Sequence, residues 1–509
     1  MVRSPLFLTR FPLGPVEISI HAPCAMCVLK QRGKTQFCIL SESSATLTLR
    51  INGRFARDAG AITCLRSLSF ANCLLESCRQ RTMARGLDMS GTVDGSRTMK
   101  AFAPALALLA ILAVINFIDR SNLSIAAPLL KEELRISASQ LGILLSAFFW
   151  TYTAMQFVSG WIVDRFDANR VIAAGYLLWS LATAATGLAQ GFTMLLAMRL
   201  ILGMGESVMV PAYSKILSFH LPEHHRGFAN GILQGSVRFG PAVGTLGAGF
   251  LIAKYGWRPA FIGIGLISLA WLPAWFRWMP RGGAIYRSLP ASPGFADIVR
   301  QRSFWGVCGG HFSILYLLYF MLTLLPFYLV RERHVSMQSM AKIASAYYAI
   351  EALSAITTGW LSDSCIRRGY TPTLVRKSAM AIGHTIAAVA VMSCALATSQ
   401  WYLVCLVVLA IGSGTAGAGP FAFSQTLAGP HATGKWTGLQ NGFANVAGVV
   451  APALTGFLVD RTGKFLAPLA ITAAVLVAGG LSWVFMVGRV EEVNWKSEPR
   501  RAPVAAASI

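Results

Sequence analysis

The sequence predicts an all-α membrane protein of twelve transmembrane helices, arranged as two pseudo-symmetric six-helix halves. Three observations predict it. Hydrophobic residues make up 55% of the chain and charged residues only 13%, too little charge to cover a soluble protein of this size. From residue 101 onward the apolar residues form a near-continuous series of runs. Each run is long enough to cross a hydrocarbon core of roughly 30 Å at about 1.5 Å per residue. Finally, one short glycine–aspartate pattern recurs at matched places in the two halves of the series.

The runs place spans at 103–128, 139–163, 170–189, 192–217, 229–253, 259–279, 304–329, 341–362, 376–397, 400–427, 437–459 and 465–488. In lipid the backbone must satisfy its own polar groups, so each run reads as helix. Connectors are short and polar except 280–303, which carries Arg281, Arg287, Arg300 and Arg302. The organisation is therefore an amino-terminal bundle (99–279), a linker (280–303), a carboxy-terminal bundle (304–488) and a tail (489–509). Loops after even-numbered spans are richer in basic residues, among them Arg165, Arg170, Lys215, Arg226, Arg367, Arg368, Arg376, Lys377 and Lys435. By the positive-inside rule, both ends of the membrane domain and the linker are expected in the cytoplasm of a bacterial-type inner membrane. The net charge of +23 is then anchoring at that face, with the bilayer and not nucleic acid as partner.

Residues 1–98 differ from the rest. They are basic, hold six of the ten cysteines and show no sustained helical or alternating period. Cys24 and Cys27 form a CxxC without a second pair at zinc spacing, so no metal is expected. No apolar core follows a charged start, which excludes a signal peptide. The segment is expected to be disordered, or an extension upstream of a start at Met83, Met89 or Met99.

The recurring pattern is Gly160-Trp161-Ile162-Val163-Asp164-Arg165 at the end of the second span and Gly359-Trp360-Leu361-Ser362-Asp363-Ser364 at the end of the eighth. Glycine permits close helix approach. An aspartate at a helix C-terminus opposes the dipole and must be held by a cation or by the N-terminus of a facing helix. Two six-helix halves repeated in this way mark one large class of secondary transporters.

Ionisable side chains inside a membrane cost about 2.5–3.5 kcal/mol each on insertion scales and so call for a reason. In the first span Asn116, Arg120 and Ser124 share one face, with Asp119 beside it. Adjacent residues point about 100° apart, which sets Asp119 and Arg120 badly for mutual pairing. Arg120 reads as a fixed cation whose guanidinium can fork a carboxylate; the alternative is a self-neutralising Asp–Arg pair. In the fourth span Arg199, Gly203, Glu206 and Val210 form one stripe. Glu206 fits a proton carrier, neutral when loaded and paired to a cation when empty, or a structural partner that locks Arg199.

Other polar positions carry paired readings. Tyr152, Gln156 and Gly160 lie one turn apart, as packing or as ligand contacts. Arg238 is a second anion anchor or a gate residue. Asn441 and Asn445 contact substrate or hydrogen-bond between helices. His311, Glu351 and His384 read as structural or gate residues. Gly240-Pro241-x-x-Gly244-x-x-Gly247 reads as a close-packing and bending element.

The Gly160–Arg165 pattern with Arg170 resembles the signature of the major facilitator superfamily, departing from it at Asp167, where a glycine usually stands, and at Ser364 in the second copy. Further segments resemble the anion:cation symporter family, whose members carry hexonates, hexuronates, glucarate, tartrate and phthalate. They are Asn116–Ser124; Arg199-x-x-Leu202-Gly203-x-x-Glu206 with Pro211; Gly256-Trp257-Arg258 with Phe261; Leu325-Pro326-x-Tyr328-Leu329; and Gly438–Gly442 through Asn445, Gly448, Pro452, Gly456, Asp460 and Gly463. The resemblance implies the major facilitator fold, proton coupling through Asp119 and Glu206, and an anion held by Arg120. It also implies substrate contacts at Tyr152, Ser236 and Asn445. Gly160, Asp164, Arg165, Arg199, Gly359 and Asp363 would form the conformational motif.

The expected function is proton-coupled uptake of a small organic anion, by a monomer without cofactor. The sequence carries no enzyme signature, so no enzyme is expected, and it has no phosphate-cradling glycine loop with lysine, which disfavours ATP-driven pumping. One alternative is an exporter of drugs or metabolites; the glycine–proline element favours it, and Arg120 counts against it for cationic cargo. Another is a transporter-like sensor, which calls for an ordered signalling domain that the short tail does not supply.

Overall fold

The computed structural model describes residues 17–20, 26–31, 34–43, 46–51, 95–280, 292–397, 401–462 and 465–495. The chain divides into two units, Met1–Gly95 and Ser96–Ile509. The first contains an antiparallel meander in the order β1 (Glu17–Ile20), β2 (Met26–Gln31), β3 (Lys34–Ser43) and β4 (Thr46–Ile51). Gln31 pairs with Lys34, so two residues connect β2 to β3. The sequence, without sustained alternation there, does not foresee these strands.

The second unit is helical throughout its described residues. The amino-terminal half contains α1 (Gly95–Glu133), α2 (Ala138–Arg165), α3 (Ala168–Thr186), α4 (Phe192–Glu206), α5 (Met209–His220), α6 (Glu223–Tyr255), α7 (Trp257–Ser268) and α8 (Trp271–Trp278). A short α9 (Phe295–Val299) lies in the linker, most of whose preceding part, 281–291 with Arg281 and Arg287, is outside the described residues. The carboxy-terminal half contains α10 (Arg302–Phe327), α11 (Met337–Arg367), α12 (Pro372–Leu396), α13 (Trp401–Gly417), α14 (Pro420–Ala428), α15 (Thr433–Asn445), α16 (Ala447–Thr462) and α17 (Leu466–Leu481). Among the described residues, nine helical stretches are long and apolar enough to cross a membrane. With α3, α6 and α11 they complete twelve passes; Arg238 and Glu351 lower the hydropathy of α6 and α11.

The repeat is visible in local structure as well as in the motif. Ser137 caps α2, its hydroxyl accepting from the Gln140 amide, and Ser336 caps α11 in the same way through Ser339. Each cap satisfies an orphan N–H, which is worth about 1 kcal/mol. Two residues before each cap the chain turns through a left-handed residue, Arg135 and His334, both at φ 51°. Polar caps and sterically costly turns at equivalent places fix where the second helix of each half enters the bilayer.

Four passes are broken, which the uninterrupted hydropathy of the sequence does not show. Between α4 and α5, Ser207 Oγ donates to the Met204 carbonyl and meets Ser159 Oγ at 2.6 Å. This side-chain competition for backbone groups interrupts the helix directly after Glu206. The α15–α16 break at Val446 follows Asn445 just as closely. Each half has its own apolar core, around Tyr176, Trp179, Trp271 and Trp275 in the first and Leu317, Val391, Leu406 and Leu476 in the second. Phe250, Ile267, Val389 and Phe485 are exposed, as a lipid-facing rim requires.

Candidate functional site

The two halves meet along α2–α15 and α6–α11. A Cβ on Gly160 would stand 2.6 Å from the Gly434 carbonyl, and one on Gly359 would collide with the Gly227 carbonyl. Glycine is required at both, because the facing backbones leave no room for a side chain. That approach lets each motif aspartate reach backbone amides of the opposite half, Asp164 in the first turn of α15 and Asp363 one turn into α6. Asp164 accepts from the Gly434 and Lys435 amides at 2.9 and 2.8 Å, at the start of α15. Asp363 accepts from the Gly227 and Phe228 amides at 2.9 and 2.7 Å. Asp164 also lies 3.6 Å from Lys215 Nζ and accepts from Ser292 Oγ. Arg165, grouped with this motif from the sequence, points elsewhere: it is exposed, with its guanidinium 5.5 Å from the Trp161 ring. Lys215, one of the basic loop residues, supplies the cation. Asp167, the departure from the glycine pattern, has its own local role, capping α3 through the Asn169 and Arg170 amides.

Deeper in the bundle, Arg120 Nε lies 2.9 Å from Glu206 Oε2, with side chains 15% and 0% exposed. The guanidinium sits 4.5–4.8 Å from the rings of Phe117, Phe148 and Tyr152. An aromatic cage of this kind holds a cation in place and keeps water off it. Asn116 is buried one turn earlier, beside Glu206. Asp119 turns away from Arg120 towards Asn122 and Thr183, near the charge of Arg199. Arg199 donates to the Leu144 carbonyl and lies 5.7 Å from the Phe148 ring. The reading in which Glu206 locks Arg199 is thus overturned, since the carboxylate takes Arg120.

Opposite Arg120, Asn441 Nδ2 donates to the Tyr152 hydroxyl at 3.1 Å. Asn445 Nδ2 donates to the Asn441 carbonyl, and its Oδ1 accepts from the Tyr319 hydroxyl at 2.7 Å. Tyr152, Asn441, Asn445 and Tyr319 thereby join the two halves directly below the cage. Gln156 is buried a turn from Tyr152, facing Gly438 and Gly442. Arg238 reaches across the halves to Glu351, Nε to Oε1 2.9 Å. Ser236 does not join it. Two residues on a helix are separated by about 200°, so half-buried Ser236 lies on the other side of α6. The glycine element is also only partly as expected. Gly240 and Gly244 pack on Phe117 and Ser121 of α1, but Gly247 has open space around it. Tyr319, Phe117 and Phe148 were missed by sequence reasoning because aromatic residues are ordinary packing in any apolar span.

Comparison with known proteins agrees with this architecture. The sequence profile of the Major Facilitator Superfamily matches residues 109–452 and 343–508. The chain is 30% identical over 392 residues to the hexuronate transporter of Bacillus subtilis, covering 74% of this chain and 92% of that protein. It is 28% identical over 424 residues to a probable galactarate/D-glucarate transporter of Escherichia coli, covering 76% and 95%. Among solved structures, the E. coli fucose:proton symporter superposes with a TM-score of 0.58 at 16% identity, covering 75% of this chain and 98% of that one. At that identity the likeness shows the fold.

Proposed function

Since this chain belongs to the major facilitator superfamily, as a multi-pass membrane transporter, we propose that it carries a small organic anion of the sugar-acid class inward, coupled to protons, by alternating access. The observation that carries the reading is the Arg120–Glu206 pair: a caged cation at the centre of the bundle, neutralised by a movable carboxylate. A substrate carboxylate that takes the Nε side of the guanidinium displaces Glu206 from it. A carboxylate left alone in a dry interior is costly, so a proton accompanies the exchange. Asp119, buried beside the same network, is the second proton site in this reading. Tyr152, Asn116, Gln156, Asn441 and Asn445 line the anion's place, and rocking of the halves about it exposes each side in turn. The names of the relatives, hexuronate and galactarate/D-glucarate transporters, support the substrate class.

The bundle end bearing Asp164 and Asp363 is closed by their hydrogen bonds across the halves, and we assign that end, with both chain termini, to the cytoplasm of an inner membrane. The protein works as a monomer, since each half completes the site of the other. The test is uptake of labelled sugar acids into vesicles containing the full chain, with and without an inward proton gradient. Accumulation that needs the gradient supports the reading. Gradient-independent movement removes proton coupling, and no movement of any acid removes the function.

A further inference from the structure

We propose that Arg238 is a second anion anchor held in reserve by Glu351, so that the preferred substrate is an organic dianion with an anionic group at each end. The inference rests on the organic-anion reading above and names its substrate class.

Arg238 on α6 and Glu351 on α11 pair at 2.9 Å across the interface of the halves, with side chains 3% and 1% exposed. A buried ion pair holds two helices together no better than packed apolar side chains do, and within a membrane it is costlier still. α6 and α11 already meet closely, Gly231 and Gly235 lying on Ala355 and Ile356. Cohesion therefore does not account for the charges.

The geometry around them is that of a receptor for a carboxylate. Arg238 Nη1 donates to the Gln234 carbonyl at 3.0 Å and to Gln234 Oε1 at 3.2 Å. Its Nη2 edge lies against Gly417, where any side chain would strike it. The fork is thus fixed from behind and at one edge. Glu351 Oε1 stands 2.9 Å from Nε and accepts from Ser413 Oγ at 2.5 Å, while Arg238 Nε and the buried Glu351 Oε2 have no hydrogen-bond partner among the described residues. An arginine fork carrying one singly engaged carboxylate can exchange it for a better-placed one.

The arrangement repeats that of Arg120 and Glu206, a cation neutral as it stands with an acid in its fork. The two are joined by one polar path. Arg120 lies over Tyr152, Tyr213 stands near both Tyr152 and Gln234, and Gln234 accepts from Arg238. A monoanion exchanges for Glu206 alone. A dianion laid along the path exchanges for both carboxylates.

The experiment compares a six-carbon aldonate with the aldarate of the same length, measuring kcat/KM for uptake into vesicles containing the full chain. The native protein should favour the aldarate by about tenfold or more, because a fork built for a carboxylate penalises the acid that lacks it. Arg238→Gln should erase that preference, and Arg238→Lys should restore part of it. If Arg238→Gln fails to fold, the double variant Arg238→Gln with Glu351→Gln leaves no uncompensated charge and must show the same loss. An unchanged ratio in these variants overturns the inference, as does a native protein that carries the aldonate but not the aldarate; both leave the organic-anion reading standing. Carriage of neither acid overturns the inference, and the organic-anion reading falls with it only if no other labelled sugar acid, a hexuronate included, is carried.

Discussion

Glu206 gives its carboxylate to Arg120, 2.9 Å away on another helix, and not to Arg199 two turns back on its own. Arg120 then has one occupied position in its fork and three aromatic rings around it. In the proposed reading, this geometry makes it the residue on which anion binding depends most.

Replacing Arg120 therefore has the largest expected effect. Arg120→Ala removes a charge-assisted contact worth about 1.5–3 kcal/mol and leaves Glu206 unpaired. Apparent affinity for the transported acid should fall by about 10–100-fold. Arg120→Lys should recover little, because an ammonium has no planar fork. KM in vesicle uptake measures both. Unchanged transport in Arg120→Ala would place the anion elsewhere.

Glu206→Gln tests coupling separately from binding. The amide keeps the shape but cannot exchange a proton. Uptake driven by a proton gradient should be lost, while counterflow of labelled against unlabelled acid persists. Gradient-driven accumulation at the native level would exclude Glu206 from coupling.

Tyr152 has two separable contributions. Its ring lies 4.5 Å from the Arg120 guanidinium, and its hydroxyl accepts from Asn441 in the other half. Tyr152→Phe loses one neutral hydrogen bond, about 1 kcal/mol, so KM should rise about fivefold. Tyr152→Leu also loses the cation–π contact and should cost about tenfold more. Equal effects of the two would mean that the ring contributes nothing.

Much of this architecture was legible in the sequence, and the reason is physical. Lipid demands self-satisfied apolar segments, so hydropathy alone locates the passes. Burial of charge is expensive, so Asp119, Arg120, Arg199, Glu206 and Arg238 stand out wherever they fall. What the sequence conceals are the partners. Arg120 could choose Asp119 or Glu206, and only the packing of α4 against α1 decides. Glu351 reads as one isolated acid until α11 is placed against α6. Lys215 and Arg165 both look like loop anchors, and their positions relative to Asp164 depend on packing. Tyr319, Phe117 and Phe148 carry no signal, because apolar spans are full of such residues.

The motif aspartates make the final prediction, about the balance between conformations. Asp164 and Asp363 each accept two backbone amides from the opposite half, bonds that parting of the halves at that end would break. The asparagine variants keep the volume but lose the charge and one acceptor, at a cost of about 2 kcal/mol to the closed state. Asp164→Asn and Asp363→Asn should each shift the closed-to-open ratio by about 30-fold. The sites share no partner, so the double variant should show the sum of the two energies. Arg165→Ala is the contrast, since its exposed guanidinium touches neither α15 nor the aspartate fork; its shift should be small. Spin-label distances between the ends of α2 and α15, in the full chain in lipid, report the ratio. Should Asp164→Asn leave the distance distribution unchanged, the bonds would follow closure and not hold it.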